Sequence, residues 1–305
     1  MFDKLVIVTR KTRLEELVER FNSRGQAKFW IERSGGEFGE YVSEDDAYRR
    51  SLEGVRRGLD IGLKQQSLDR ALVPSFLFSD RDLVVPVGQD GLVANTAKYA
   101  GAQPIVGVNP DPSRFDGVLL PFTPAGVRPA VESVLAGRAQ IREVTLAEAS
   151  LNDGQSLLAF NDLFIGARTH VSARYKLTWN RVTEPQSSSG LLVSTGAGST
   201  GWLSSVFNMA AGLAAFTGGA AGKRPELTWE DPRLMFAVRE PFVSRHSKAG
   251  IVAGWIDKGR DLVVESLMPS GGAIFSDGIE ADFLPFDSGR IVRIRAASRR
   301  ARLVV

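Results

Sequence analysis

The feature that most constrains this chain is a set of short runs that are apolar on both sides, each separated by a helical pattern. Leu5-Val6-Ile7-Val8, Leu83-Val84-Val85-Pro86-Val87 and Pro104-Ile105-Val106-Gly107-Val108 show no alternation of apolar and polar residues. A strand with one wet face alternates, so a strand that does not is covered on both faces. Between the runs lie helical patterns. Leu14, Leu17, Val18 and Phe21 share one face behind Thr12, a candidate N-cap, and Tyr48, Leu52, Val55, Leu59 and Leu63 share another. Strands of this kind alternating with helices predict a doubly wound α/β domain with a parallel sheet. Within it, Ala27–Ile31 reads as a weaker strand, residues 32–43 as a loop rich in glycine and charge, and Leu92–Tyr99 as a helix.

The rhythm changes after residue 125. Val127–Leu135 is one more helix, and short strand candidates then follow at close intervals, punctuated by Gly, Pro, Asn and Asp. Among them are Ala173–Trp179, Leu191–Ser194, Leu234–Val238 and Leu262–Leu267. One helix near residues 200–216 interrupts them. The expected organisation is an α/β domain over 1–125 and a mostly β domain over 126–305, with the C-terminal strands candidates to return to the first domain.

Composition narrows the chemistry. With no cysteine, a disulfide scaffold, a Cys-ligated metal and a thiol nucleophile are excluded. With two histidines, His170 and His246, so is a multi-histidine metal site. The balance of 38 basic against 35 acidic residues is a surplus of 3, smaller and less clustered than a nucleic-acid binder carries. The one basic cluster, Arg290 to Arg302, is interleaved with Val and Ile and reads as strands with solvated outer faces. No run is long and apolar enough to predict a membrane span, and the start of the chain enters a strand too short to be an export signal. The expected location is the cytoplasm.

Four polar motifs punctuate this frame. Val87-Gly88-Gln89-Asp90-Gly91 stands between a buried strand and a helix, where backbone N–H groups can approach a phosphate and Asp90 can accept a proton or neighbour a metal. Asn161-Asp162 lies between two apolar strands. Ser194-Thr195-Gly196-Ala197-Gly198-Ser199-Thr200-Gly201-Trp202 contains a formal G-x-G-x-x-G, but the acidic residue a Rossmann site needs about 20 residues on is missing. Ser276-Asp277-Gly278 reads as a hairpin turn. No Walker A sequence occurs. Taken singly, each motif also reads as an ordinary turn.

Their order and spacing resemble the NAD kinase family. So do Arg10-Lys11-Thr12-Arg13, Ile105-Val106-Gly107-Val108-Asn109-Pro110-Asp111-Pro112-Ser113-Arg114, Ser187-Ser188-Ser189-Gly190 and Leu234-Met235-Phe236-Ala237-Val238-Arg239-Glu240-Pro241, which are similar to its mitochondrial-type branch. The resemblance implies an α/β domain followed by a β-rich, dinucleotide-holding domain. It implies transfer of a phosphoryl group from ATP, with Mg²⁺, to the adenosine ribose 2′-hydroxyl of NAD. It makes Asp90 the candidate base. Gly88, Gln89, Gly91 and Asn109 become candidate nucleotide contacts in the first domain. Asn161, Asp162, Thr200, Gly201, Trp202, Ser205, Asp277 and Gly278 are candidates in the second. Small-molecule nucleotides are the implied partners, with no nucleic acid and no membrane, in a homodimer.

Four residues depart from the family pattern. Gln89 stands where it has a second glycine, Leu92 where it has threonine, and Ser189 where most members have aspartate. Trp202 replaces a common tyrosine. Two alternatives therefore stay open: a weakly active or inactive NAD-binding sensor on the same fold, and a related kinase acting on a sugar or lipid hydroxyl.

Overall fold

A computed structural model describes residues 2–220 and 222–305. The chain divides into two compact units, one running to Arg142 and including Arg302–Val305, the other spanning Glu143–Ala301. Helix α5 thus belongs to the first unit, which extends past residue 125, and the last residues of the chain belong to it too.

The first unit contains β1 (Lys4–Thr9), α1 (Arg13–Phe21), α2 (Arg24–Arg33), α3 (Phe38–Gly58), β2 (Lys64–Asp69), β3 (Asp82–Pro86), α4 (Asp90–Tyr99), β4 (Pro104–Ile105) and α5 (Val127–Leu135). The strands pair in parallel in the order β2-β1-β3-β4, and Arg302 and Leu303 extend the sheet beside Pro104 and Ile105. All four central residues of β1 and all five of β3 are buried. Leu5, Ile7, Leu83 and Val85 pack with Val55 of α3, with Leu59 at its C-cap, and with Val127, Val131 and Val134 of α5. Thr12 caps α1 through a capping box: its hydroxyl accepts from the Glu15 amide, and the Glu15 carboxylate accepts from the Thr12 amide at 2.9 Å.

Two stretches differ from the sequence reading. Residues 27–31, expected as a strand, lie in α2. Ala27 and Ile31, four apart, are the buried pair, whereas Phe29 and Trp30 are exposed. The aromatic content raised strand propensity, but burial follows the helical period. Residues 38–43, expected as loop, form the first turns of α3.

The second unit contains β5 (Ile141–Leu151), which opens at the boundary, then β6 (Ser156–Ala159), β7 (Asp162–Ala167), β8 (Ala173–Trp179), β9 (Val182–Ser188), β10 (Leu191–Ser194), α6 (Trp202–Phe216), β11 (Leu234–Val238), β12 (Ala253–Ile256), β13 (Leu262–Ser266), β14 (Gly272–Ser276), β15 (Ile279–Pro285) and β16 (Ile291–Val304). One antiparallel sheet runs β12-β11-β10-β7-β14-β15. A second joins β16, β13, β8 and β9, with β5 and β6 alongside. Leu163, Ile165, Leu191, Val193, Phe236 and Ile274 of the first sheet share one core with Tyr175, Leu177, Val264 and Ile294 of the second, which makes this unit a β-sandwich. On the six-stranded sheet's other face, α6 sets Leu203, Val206 and Phe207 against Leu192, Met235 and Ala237.

Candidate active site

In the second unit the polypeptide folds three separate segments around Asn161 and Asp162. The first is the β14–β15 hairpin. Asp277 and Gly278 form its two-residue turn with φ of 52° and 69°, the doubly positive pattern of a type I′ turn. That conformation presents the Asp277 carboxylate to the 160–162 backbone. One oxygen accepts from the amides of Asn161 and Asp162 at 2.6 and 3.2 Å, the other from Phe160 at 2.9 Å. The Asp277 amide donates in return to the Asp162 carbonyl at 3.0 Å.

The second segment is the turn after β10. The Thr195 hydroxyl donates to the Phe160 carbonyl at 2.6 Å, and the Thr195 amide donates to the Asn161 carbonyl at 2.9 Å. The glycines here are steric necessities. A Cβ at Gly198 would lie 2.1 Å from the Asn161 carbonyl oxygen, and one at Gly196 1.7 Å from that of Thr228. The third segment is the start of α6, where Gly201 leads into Trp202.

The result is a pocket of about 370 Å³ lined by Asn161, Asp162, Ala197, Gly198, Thr200, Gly201, Trp202, Asp277 and Gly278. Seven of these are residues the sequence singled out. Ser205, one turn into α6, is exposed and outside the lining. With its backbone amide and carbonyl used in the scaffold, Asn161 keeps its side chain at the pocket. Among the described residues, the Asp162 carboxyl accepts no hydrogen bond. Burial, and secondarily the neighbouring Asp277 carboxylate, push its pKa from 3.8 up to about 7. A carboxyl so placed gains from any ligand hydroxyl that satisfies it.

The pocket wall includes an aromatic shelf that the motifs did not reveal. The Trp202 ring stacks on Phe164 of β7, with centroids 5.4 Å apart and planes 16° apart. The Arg239 guanidinium lies 5.1 Å from the Trp202 ring centre. Phe164 alternates with Leu163 and Ile165, which face the core. An aromatic residue on the outward register was the available signal.

In the first unit, Gln89 occupies the N-cap of α4 and Asp90 opens its first turn. Asp90 Oδ1 accepts from the Leu119 amide at 2.6 Å, which fixes the carboxylate, and its other oxygen accepts no hydrogen bond among the described residues. Leu92 is buried, and a Cβ at Gly88 would lie 2.8 Å from Leu92 Cδ2, so the side chain seals the turn from beneath. Gly91 has nothing within 4 Å of a built Cβ. Asn109 is spent on its own loop: Nδ2 donates to the Phe115 carbonyl at 3.0 Å and Oδ1 accepts from the Asp111 amide at 3.1 Å. Among the described residues, no three His, Cys, Asp or Glu side chains gather as a metal cluster, and no helix is long and apolar enough to cross a membrane.

The fold has a counterpart among solved structures. The crystal structure of yeast NADH kinase complexed with NADH matches 99% of this chain and 83% of that one, with a TM-score of 0.59 and 16% identity. In sequence, the chain is similar to the NAD kinase of Prosthecochloris aestuarii, 27% identical over 157 residues that make up 50% of this chain and 51% of that protein. It is likewise similar to the NAD kinase of Heliobacterium modesticaldum, 34% identical over 129 residues, 40% of this chain and 44% of that protein. The matched stretches span about half the length of these curated relatives. No protein-family model matches the chain.

Proposed function

We propose that this chain is an NAD kinase-like phosphotransferase, cytoplasmic and homodimeric, that transfers the γ-phosphoryl group of ATP to the adenosine ribose 2′-hydroxyl of NAD to give NADP. The similarity to proteins named NAD kinase supports the reaction class. The observation that carries the acceptor is the convergence of Asn161, Asp162, Thr200, Gly201, Trp202, Asp277 and Gly278 on one pocket. On this reading, Asn161 and the unsatisfied Asp162 carboxyl hold ribose and adenine groups, with Asp277 clamping both from behind. Trp202, on its Phe164 shelf, offers a ring face for stacking.

Asp90 takes the part of general base, accepting the proton of the attacking hydroxyl. Phosphoryl transfer rests chiefly on positioning and charge neutralisation, so one well-held carboxylate and the donor's cation suffice. Mg²⁺ is typically bound through one or two carboxylates plus substrate phosphates. The Asp90 oxygen left without a hydrogen bond fits that demand, and the ion would neutralise phosphate charge there. The branch resemblance of residues 105–114 and 234–241 belongs to the same reading.

The test is a titration of the purified chain with NAD, followed by tryptophan emission and by calorimetry. Saturable quenching that disappears in Trp202→Phe, with binding weakened in Asp162→Ala, supports the assignment. Unchanged affinity in Asp162→Ala returns the pocket to the role of a structural turn.

A further inference from the structure

Gln89 and Leu92 are the residues that depart most from the family pattern, and the structure brings to Gln89 charged side chains from two of the resembling stretches, residues 10–13 and 105–114. A cavity of about 420 Å³ in the first unit is lined by Arg13, Glu44, Gln89, Arg114 and Phe115. Both arginines are held in place. Arg13 Nε bonds Glu44 Oε2 at 2.5 Å, and its guanidinium lies 4.6 Å from the Tyr41 ring centre. Glu44 is itself buried and takes Arg10 at 3.3 Å on its other oxygen. Arg114 Nε bonds Asp111 Oδ2 at 3.2 Å, and its Nη2 donates to the Ser43 hydroxyl at 3.4 Å. The lining itself carries two guanidiniums, Arg13 and Arg114, against one carboxylate, Glu44, and Asp90 follows Gln89 at its edge. The terminal nitrogens of Arg13 and Nη1 of Arg114 make no hydrogen bond among the described residues.

A guanidinium tethered at Nε keeps its terminal N–H groups for a second partner, and a fork of such groups suits phosphate oxygens. Gln89 adds two amide donors from an exposed N-cap whose side chain makes no capping bond. It sits one residue before Asp90. We propose that Arg13, Gln89 and Arg114 form the subsite for the phosphate tail of the phosphoryl donor, replacing with side-chain donors what a glycine backbone supplies in the resembling family. The assignment rests on the phosphotransferase reading. It accounts for Gln89 as part of a rebuilt donor site rather than as a lesion.

The test is calorimetry on the full chain with Mg²⁺, using ATP and inorganic tripolyphosphate as separate probes, for the parent, Arg13→Gln, Arg13→Lys and Arg114→Gln. Losing a charge-assisted hydrogen bond makes the expected weakening about tenfold or more in each glutamine variant. NAD affinity should stay within about twofold of the parent. Arg13→Lys retains the charge and should fall between. Because Arg13→Gln leaves Glu44 with one partner, its unfolding midpoint is measured too, and Arg114→Gln, which does not touch Glu44, carries the test if the first variant is unstable. Loss with both probes assigns the subsite to the phosphates, and loss with ATP alone assigns it to the nucleotide's phosphates in context. Parent-like binding in Arg114→Gln and Arg13→Lys overturns the proposal, as does a parent that binds neither probe. The two readings separate cleanly. Arginine-dependent ATP binding without any NADP formation sinks the kinase and keeps the subsite. NADP formation with an unchanged KM for ATP in both glutamine variants does the reverse.

Discussion

The two glycine-bearing turns of this chain look alike as text and differ as objects. Around Thr195–Gly201, glycine is enforced by backbone: at Gly196 and Gly198 an added Cβ would run into the carbonyls of Thr228 and Asn161. Around Gly88–Gly91, the contacts come from side chains. A Cβ at Gly88 would be crowded by the flexible end of Leu92, with Leu92 Cβ and Arg10 Cδ at ordinary contact, and Gly91 meets nothing within 4 Å. The first turn is therefore a rigid scaffold whose shape is set by main-chain contacts. The second is a helix start whose chemistry is set by whatever side chains surround it. The 195–201 loop therefore requires glycine at 196 and 198, whereas the 88–92 turn carries side chains at Gln89 and Leu92.

The largest expected effect breaks the two regions apart functionally. Asp90→Asn should lower turnover by about 10²–10⁴-fold, the usual loss for a general base, and leave NAD affinity intact. Parent-like turnover, measured as NADP formed under saturating substrates, removes Asp90 from the chemistry.

Next comes the steric contrast itself. Gly198→Ala must displace backbone in the pocket, and its expected cost is about 3–5 kcal/mol in unfolding free energy with loss of NAD binding. Gly91→Ala, at an open helical position, should instead stabilise by about 0.5–1 kcal/mol. Equal effects in chemical denaturation would erase the distinction between the turns.

The third prediction concerns Asp162. Asp162→Ala should weaken NAD binding by about 1–3 kcal/mol. Its pKa of about 7 also gives a sign. In the native state this carboxyl binds a proton more tightly than in the unfolded chain, so its contribution to stability is fully present below about pH 4 and is lost as pH rises through 7. Asp162→Asn should therefore gain most over the parent near pH 8 and lose that advantage toward pH 4. NAD hydroxyls favour the ionised form, so affinity should rise with pH through 7 in the parent and be flat in Asp162→Asn. A flat parent profile removes the carboxylate from the contact.

The smallest effect tests the altered turn. In the double variant Gln89→Gly with Leu92→Thr, the rebuilt donor site loses a side chain, so kcat/KM for ATP should fall by about tenfold or less. A gain indicates a decayed kinase turn that the family residues repair.

Much of the fold was legible because burial dictates pattern. The three strands that escaped the sequence reading, β2, β9 and β15, all lie at sheet edges. Edge strands are polar and tolerate proline: Lys64–Asp69 is exposed along most of its length, and Val182–Ser188 carries Pro185. The site was legible as motifs, since Asn161, Asp162, the Thr195–Trp202 loop and Asp277 are marked by polarity and glycine within apolar surroundings. Its architecture was not. Nothing local says that the Asp277 carboxylate would be consumed by three backbone amides, or that Phe164 would support Trp202. The first depends on pairing between β7 and β14, strands more than 100 residues apart, and the second on α6 folding back over β7. Arg13 and Arg114 belong to the same class, being brought to Gln89 by tertiary packing alone.

The central claim is that this chain makes NADP, and one assay addresses it directly. Purified protein is incubated with NAD, ATP and Mg²⁺, and NADP is measured with an NADP-specific dehydrogenase, with Asp90→Asn as the paired control. The account predicts NADP that accumulates with time in the parent and is reduced at least about a hundredfold in the variant. NAD that binds saturably while no NADP forms with ATP would contradict it and make the chain a dinucleotide sensor.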